Sequence, residues 1–285
     1  MITEMKAKYL TIFSLAMLVM ATIQSCKKTL TIEEQRADEL LQSAGEAIAV
    51  GNGDLAIELL DSVDAGYSVN STIKRQSLEL RPKAILLQAK RQLQLVEDSI
   101  TLYNAKLDSV AKLMTHIDIA GTDGYYVSKS DASKGAAIAT TGVLPRVDET
   151  GCFYLVSSVI GAGNLHHTSL LFNVGDEMAT TDTIPYDGDI NYRINGSEMI
   201  NFIPKRVERV ADLLRRHGED ESVTVKFIGE RGGSKMITRK VKDFSTPLAY
   251  SALITDTRRL TLERERLNER IRLAEEKISS NTPSE

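Results

Sequence analysis

The chain is poor in the residue types that usually mark a binding or catalytic site. It contains no tryptophan, and aromatic residues make up 5% of its 285 positions, which argues against an aromatic platform for sugar rings. There are two cysteines, too few for a disulfide framework. Lysine and arginine total 35 against 39 acidic residues, so the net charge of −4 gives no electrostatic support for nucleic-acid binding. The length suits one or two domains of ordinary size.

Histidines are also scarce, with four in the chain, and two of them, His166 and His167, are adjacent. Neighbouring residues on a strand point to opposite faces, so the two imidazoles do not converge on one metal ion. Ser157, Ser158 and Ser169 lie close in sequence without defining a catalytic triad. We predict that both histidines are structural. A hydrolase built on one of them and a nearby serine remains an alternative.

Other motifs with chemical potential are incomplete. Asp187-Gly188-Asp189 lacks the ligand ladder of a calcium-binding loop and is typical of a turn. Gly161-Ala162-Gly163 precedes no phosphate-binding loop, and no Gly-x-Ser-x-Gly elbow occurs. The sequence therefore predicts no catalytic residues, no metal, no cofactor and no enzymatic activity.

The N-terminal region carries the most specific signal. Lys6 and Lys8 are followed by an apolar run over residues 9–23 and then by Ser25-Cys26. The run is shorter than the ~20 residues that a membrane-spanning helix needs, which favours a secretory leader. The ending Ile23-Gln24-Ser25-Cys26 resembles the lipobox of bacterial lipoproteins, with Gln24 replacing the usual small residue.

That resemblance implies a signal peptide over residues 1–25 and acyl chains on Cys26, with a short tether at 26–31. An ordinary secretory leader or a short anchor helix are the alternatives. Some Gram-negative lipoproteins reach the cell surface through acidic residues after the cysteine, whereas this chain has Lys27 and Lys28. We therefore expect a lipid-anchored protein of the cell envelope that faces the periplasm. Because acylation uses Cys26, Cys152 has no disulfide partner, and its β-rich surroundings predict a buried, unreactive thiol.

Residues 32–68 have the pattern of a helical hairpin. Apolar residues recur at helical spacing up to Val50, Gly51-Asn52-Gly53 ends the first helix, and Asp54 is a plausible cap for the second. Ala44, Gly51, Ala56 and Leu60 fall where a tetratricopeptide-type hairpin has its packing residues, so residues 33–68 resemble one such unit. An ordinary hairpin packed on the next helix is the alternative, since the pattern does not recur.

Two longer segments carry an apolar seam with steps of three and four. We predict a first stalk helix over 70–117, with a break or kink at Pro82 and a clean arm at 83–117, and a second over 246–280, capped by Thr246 and Pro247. The two should pair as an antiparallel coiled coil, with a homodimer as the alternative. The predicted seam residues are Leu86, Ala89, Leu93, Val96, Ile100, Tyr103, Leu107, Val110, Met114 and Ile117 in the first helix, and Ala249, Leu253, Thr257, Leu260, Arg264, Leu267, Ile271, Ala274 and Ile278 in the second.

The 120–245 region between these helices is rich in β-branched runs and turn signals and predicts a mostly antiparallel β domain. Asn195-Gly196 and residues 230–233 are typical of hairpin turns. Strands are expected at 125–128, 136–141, 152–160, 168–174, 178–184, 190–194, 198–203, 223–228 and 235–241.

One amphipathic helix at 204–217 interrupts the strands, with Pro204 in its first turn. Its polar face is basic and is the candidate surface for an anionic partner, although such a face is more often simply solvated. The candidate binding residues are Arg206, Arg209, Arg215 and Arg216.

The predicted fold class is therefore α+β, with an N-terminal helical hairpin, a coiled-coil stalk, an inserted β domain and a disordered tail at 281–285. The predicted function is a lipid-anchored scaffold or interaction module of the cell envelope that binds a protein or an envelope polymer. A glycan-binding or small-molecule-binding lipoprotein is the first alternative, and an envelope hydrolase is the second.

Overall fold

The computed structural model describes residues 31–66, 71–119, 121–132, 140–161, 165–185, 188, 190–194 and 196–281. The predicted signal peptide, Cys26, most of the short tether and the tail after residue 281 lie outside these residues, as do Asp187, Asp189 and Asn195. The described chain combines helices with antiparallel sheets, which confirms the α+β class. None of its helices is both long enough and apolar enough to cross a membrane.

The chain divides into two units. Among the described residues, the first unit holds 31–92 and 268–281, and the second holds 93–267. Both divisions fall within long helices. All the strands that the structure describes belong to the second unit.

The first unit begins with helix α1, Ile32–Ala49, and helix α2, Gly53–Gly66. Thr31 and Glu34 form a reciprocal capping box at the start of α1. The predicted cap of α2 was wrong, because Asn52, not Asp54, accepts the Leu55 amide at 3.2 Å. Asp54 instead accepts hydrogen bonds from Gln88 and Arg91 of the third helix. Gly53 is required where α2 crosses that helix, since a Cβ there would lie 2.5 Å from the Gln88 nitrogen.

The third helix, α3, spans Ser71–Ala111 and continues through Pro82, so the predicted break at Pro82 was wrong, while the alternative, a kink there, stays a prediction. Its predicted end was also wrong. The helix stops at Ala111, and Met114–Ile119 forms strand β1. Met114 and Ile117 fit a helical step of three, but β-branched residues alternate through this segment and pair with the following strand, which favours the extended form.

The second unit contains two antiparallel sheets. The first sheet has the order β1-β2-β3-β4-β8-β7, and the second has the order β10-β9-β5-β6. The remaining strands are β2 (Thr122–Ser128), β3 (Gly142–Asp148), β4 (Phe153–Ile160), β5 (His167–Val174), β6 (Glu177–Thr180), β7 (Asn191–Ile194), β8 (Ser197–Phe202), β9 (Ser222–Gly229) and β10 (Ser234–Lys240).

Most of the strand predictions are confirmed, and the exceptions have local causes. The predicted strand at 136–141 lies largely outside the described residues, and the observed strand β3 begins only at Gly142. The sequence did not predict β3, which contains Pro145, because proline has no amide hydrogen to donate to a neighbouring strand. Pro145 is compatible with the sheet since it lies outside the part of β3 that pairs with β2. The prediction at 178–184 was too long, since β6 ends at Thr180.

Both predicted hairpins are present between paired strands, with positive φ at Gly196 and Gly232.

An apolar core lies between the two sheets and is closed by helix α4, Pro204–Arg216. Leu155 and Phe202 come from the first sheet, and Phe172 and Phe227 from the second; all four are fully buried. Helix α4 has Pro204 at its first position, as predicted, and packs on β4, β5 and β6.

The last helix, α5, spans Lys242–Asn281 and begins before its predicted start at Thr246. The error came from treating Pro247 as a first-turn residue, whereas it lies inside the helix. Backbone amides of Phe244 and Ser245 already donate to the Val241 carbonyl, which sets the earlier start.

Burial along α3 and α5 follows the predicted seam. On α3 every seam position from Leu86 to Val110 is buried or partly buried, and on α5 the same holds from Leu253 to Ile278. Ala249 is exposed and is the exception.

Candidate functional site

The most distinctive polar cluster of the described chain lies at one end of the core between the sheets. Ser157 of β4 and His167 of β5 contact each other through Oγ and Nε2 at 2.8 Å. The other imidazole nitrogen, Nδ1, lies 3.4 Å from Oε2 of Glu198 on β8. The structure therefore assembles a serine, a histidine and a carboxylate in series, in the order that acyl-transfer enzymes use.

Glu198 is the centre of this network. Its carboxylate accepts hydrogen bonds from the backbone amides of His166 at 3.1 Å and His167 at 3.2 Å. Arg193 of β7 donates to it from Nη2 at 3.1 Å. Burial would raise the pKa of Glu198, but these hydrogen bonds and that of the His167 ring lower it below the usual value. Glu198 is therefore an ionised carboxylate inside the protein.

His167 is neutral at physiological pH. Burial lowers its pKa from the ordinary value of 6.5, and the nearby Glu198 only partly opposes this effect. Because Nδ1 faces a carboxylate, the Nδ1–H tautomer is assigned, which leaves Nε2 to accept a hydrogen bond from the Ser157 hydroxyl. This is the tautomer that a general base requires.

Most of this network is buried. Ser157 and His167 have 0% exposure and Glu198 has 2%. Arg193 alone reaches solvent, with 44% of its side chain exposed. In this conformation the Ser157 hydroxyl has no solvent exposure, and its contact with His167 joins the two sheets.

Sequence reasoning found Ser157 and the two histidines but missed Glu198 and Arg193. Glu198 could have been found from the alternation of side chains along its strand, in which every second residue faces the same side. Glu198 alternates with Ile200 and Phe202, which are buried, so a charged residue lies on the apolar face of its strand. A carboxylate in that position needs a buried partner.

The two histidines have different environments, but strand alternation is not the cause, because His166 precedes β5 and has φ 47°. His166 is partly exposed, with its Nδ1 3.9 Å from a Glu230 carboxylate oxygen, while His167 points into the core. The described residues include no group of three or more histidine, cysteine or acidic side chains that could hold a metal ion.

The basic helix α4 has nearby acidic groups. The four candidate binding residues have these partners: Arg206 donates to the Thr183 carbonyl at 3.4 Å, and Arg209, Arg215 and Arg216 form ion pairs with Asp182, Asp212 and Glu177 at 2.7, 2.8 and 2.9 Å. An anionic partner would have to compete with these carboxylates. Binding at this surface stays a prediction.

The prediction that Cys152 is buried was wrong. Its thiol is free and exposed. The residue precedes β4 and belongs to the turn after β3, where its amide donates to Asp148 Oδ1 at 2.8 Å. Asp148 also holds the Thr150 amide, so the turn extends one residue further than the β-rich pattern indicated.

No family model, curated protein or solved structure matches this chain.

Proposed function

We propose that this protein is a lipid-anchored component of the cell envelope that presents its β domain on a pair of antiparallel helices and acts as a scaffold or interaction module. The lipobox-like ending at Cys26 supports the anchor. The partner would be a protein or an envelope polymer.

The burial pattern of α3 and α5 carries the stalk proposal. On α5, Leu260 and Leu267 are 8% and 3% exposed at seam positions, whereas Leu262 and Leu273 are 56% and 51% exposed away from the seam. On α3, Leu95 and Leu102 lie off the seam and are similarly exposed. Burial thus depends on heptad position and not on residue type, as expected for helices that pair along one stripe.

Two side-chain contacts in the first unit support the pairing there. Arg270 donates to Gln88 Oε1 at 2.7 Å, and Lys90 Nζ lies 3.0 Å from Glu275 Oε1. Ala89 and Ala274 are buried seam residues of the same unit, at 0% and 6% exposure. Small residues at these positions allow close approach of two helices.

We expect Ala89→Cys and Ala274→Cys, combined in a Cys152→Ser background, to form a cross-link within one chain. Seam residues of paired helices face each other, so a short bifunctional thiol reagent should join them. The measurement is gel mobility after treatment of envelopes, with neighbouring positions scanned to allow for register.

The matched control replaces Ala89→Cys by Leu95→Cys, which places the thiol on the exposed face of the same helix. That pair should not react within the chain. Cross-links that form only between two chains would support the homodimer instead, and none across the scan would exclude the stalk.

An envelope hydrolase is the second candidate, because Ser157 and His167 lie 2.8 Å apart with Glu198 behind them. Their burial argues against it. A fluorophosphonate probe gives the test, since an activated serine would be labelled in the native protein and not in Ser157→Ala. We expect no labelling difference between the two proteins.

A further inference from the structure

The network around Glu198 joins the two sheets of the second unit. Ser157, Glu198 and Arg193 belong to the first sheet, and His167 belongs to the second. Through Ser157 and Glu198, β4 and β8 hold both the ring and the backbone of the first residue of β5. The start of β5 is thus fixed to the first sheet by polar contacts inside an apolar core.

We propose that this network is an acid-released clasp, which fastens the start of β5 to β4 and β8 while His167 is neutral and opens when His167 takes up a proton. The clasp consists of Ser157, His167, Glu198 and Arg193.

Protonation of His167 conflicts with the contact to Ser157. A charged imidazole donates from both nitrogens, so Nε2 can no longer accept the Ser157 hydroxyl. Nε2–H could still donate to Ser157 Oγ, but the hydroxyl hydrogen would then need another acceptor. The side chains of Leu155 and Val159, the next residues on that face of β4, are apolar and buried. A buried donor would lose its partner at the moment that a charge is created beside it.

The surrounding charges compensate only in part for the new one. Glu198 already faces Arg193 and two backbone amides, and its 3.4 Å separation from Nδ1 is long for a strong ion pair. From β9 the ring of Phe227 packs on the imidazole at 5.7 Å and carries no charge. Glu230 lies beside His166 and not beside His167. Burial therefore dominates, and it lowers the pKa of His167.

The backbone next to the clasp is strained, which favours opening. His166 has φ 47°, a left-handed value that is unusual for a residue with a side chain. Its amide is held by Glu198, and its carbonyl accepts the Glu230 amide at 3.0 Å. When the contacts of His167 weaken, the backbone at His166 can relax.

The direction of the pH effect follows from the lowered pKa. In an opened or unfolded form His167 titrates near its ordinary pKa of 6.5, whereas in the closed form it resists the proton. Below about pH 6.5 the open form therefore gains protons that the closed form does not, and opening becomes easier as the pH falls. The pKa of Glu198 is also lowered, so its own contacts are lost only at more acidic pH.

The test is amide hydrogen exchange measured by NMR at pH 7.5 and 5.0, corrected for the intrinsic pH dependence. We expect the amides of His166 and His167 to lose protection at least tenfold at the lower pH. The amide of Phe172, further along β5, reports on the whole strand and should change less. In His167→Gln, which cannot gain a charge, the pH-dependent loss should disappear. His217→Gln is the matched control and should behave as the wild type.

The wild-type protein alone also decides the question if His167→Gln does not fold. The imidazole 15N shifts give the titration of His167 directly, and loss of protection at the same midpoint supports the clasp. Unchanged protection at pH 5.0, whether or not His167 is protonated, overturns it. The same loss of protection in a folded His167→Gln overturns it as well.

Discussion

Replacement of Glu198 by alanine is expected to lower the free energy of unfolding of the second unit by about 3–5 kcal/mol. The substitution leaves the amides of His166 and His167 and the Nδ1–H of His167 without the acceptor that they share. It also leaves Arg193 without its buried carboxylate. For a unit of this size the loss corresponds to a fall in melting temperature of roughly 10 °C.

Urea unfolding followed by far-ultraviolet circular dichroism measures this effect without tryptophan. Glu208→Ala is the matched control, because Glu208 is an exposed glutamate on α4, and its replacement should change stability by less than about 0.5 kcal/mol. If Glu198→Ala is no more destabilising than Glu208→Ala, the carboxylate does not hold the two sheets together.

Replacement of Cys26 by alanine is expected to abolish acylation, because the thiol is the attachment point that the lipobox resemblance assigns. Each buried methylene contributes about 0.8 kcal/mol to membrane attachment, so loss of the acyl chains removes the anchor. The variant should be either soluble or retained with its leader uncleaved. Metabolic labelling with a fatty-acid analogue and detergent phase partition distinguish these forms from the acylated wild type.

Cys152→Ala provides the control for the anchoring experiment, since it removes the other cysteine of the chain and keeps Cys26. It should be labelled and should partition as the wild type does. Equal partition of wild type and Cys26→Ala, together with no lipid on Cys26, would refute the lipoprotein proposal.

The apolar periodicity of the sequence predicted the buried positions of the long helices more accurately than the residues at which these helices end. Seam positions from Leu86 to Val110 are all at least partly buried, yet the same three-residue step led past Ala111 into a strand. A short apolar pattern fits both a helix and a strand, and pairing with β2 decides between them. Pro247 does not begin its helix and Pro82 does not break its helix, since each helix continues through its proline.

The candidate site was predicted only in fragments because its parts are distant in sequence. Ser157 and His167 were candidates, but their separation gave no evidence of contact. Glu198 reaches them only because β4 pairs with β8 and the second sheet packs over both. The alternation of Glu198 with apolar residues in its strand indicates a buried charge. Its partners could be identified only from the folded structure.

Strand order has a consequence for how this protein acquires its fold. In the second sheet β5 pairs with β9, which aligns Leu170 with Phe227. In the first sheet β4 pairs with β8, which aligns Leu155 with Phe202. Each sheet therefore depends on pairing between strands that are far apart in sequence. Pairings of this kind slow folding to roughly milliseconds to seconds. A chain that crosses a membrane from its N-terminus would expose the apolar faces of β4 and β5 until β8 and β9 emerge. For a chain exported in this way, β4 and β5 would be open to aggregation during that interval.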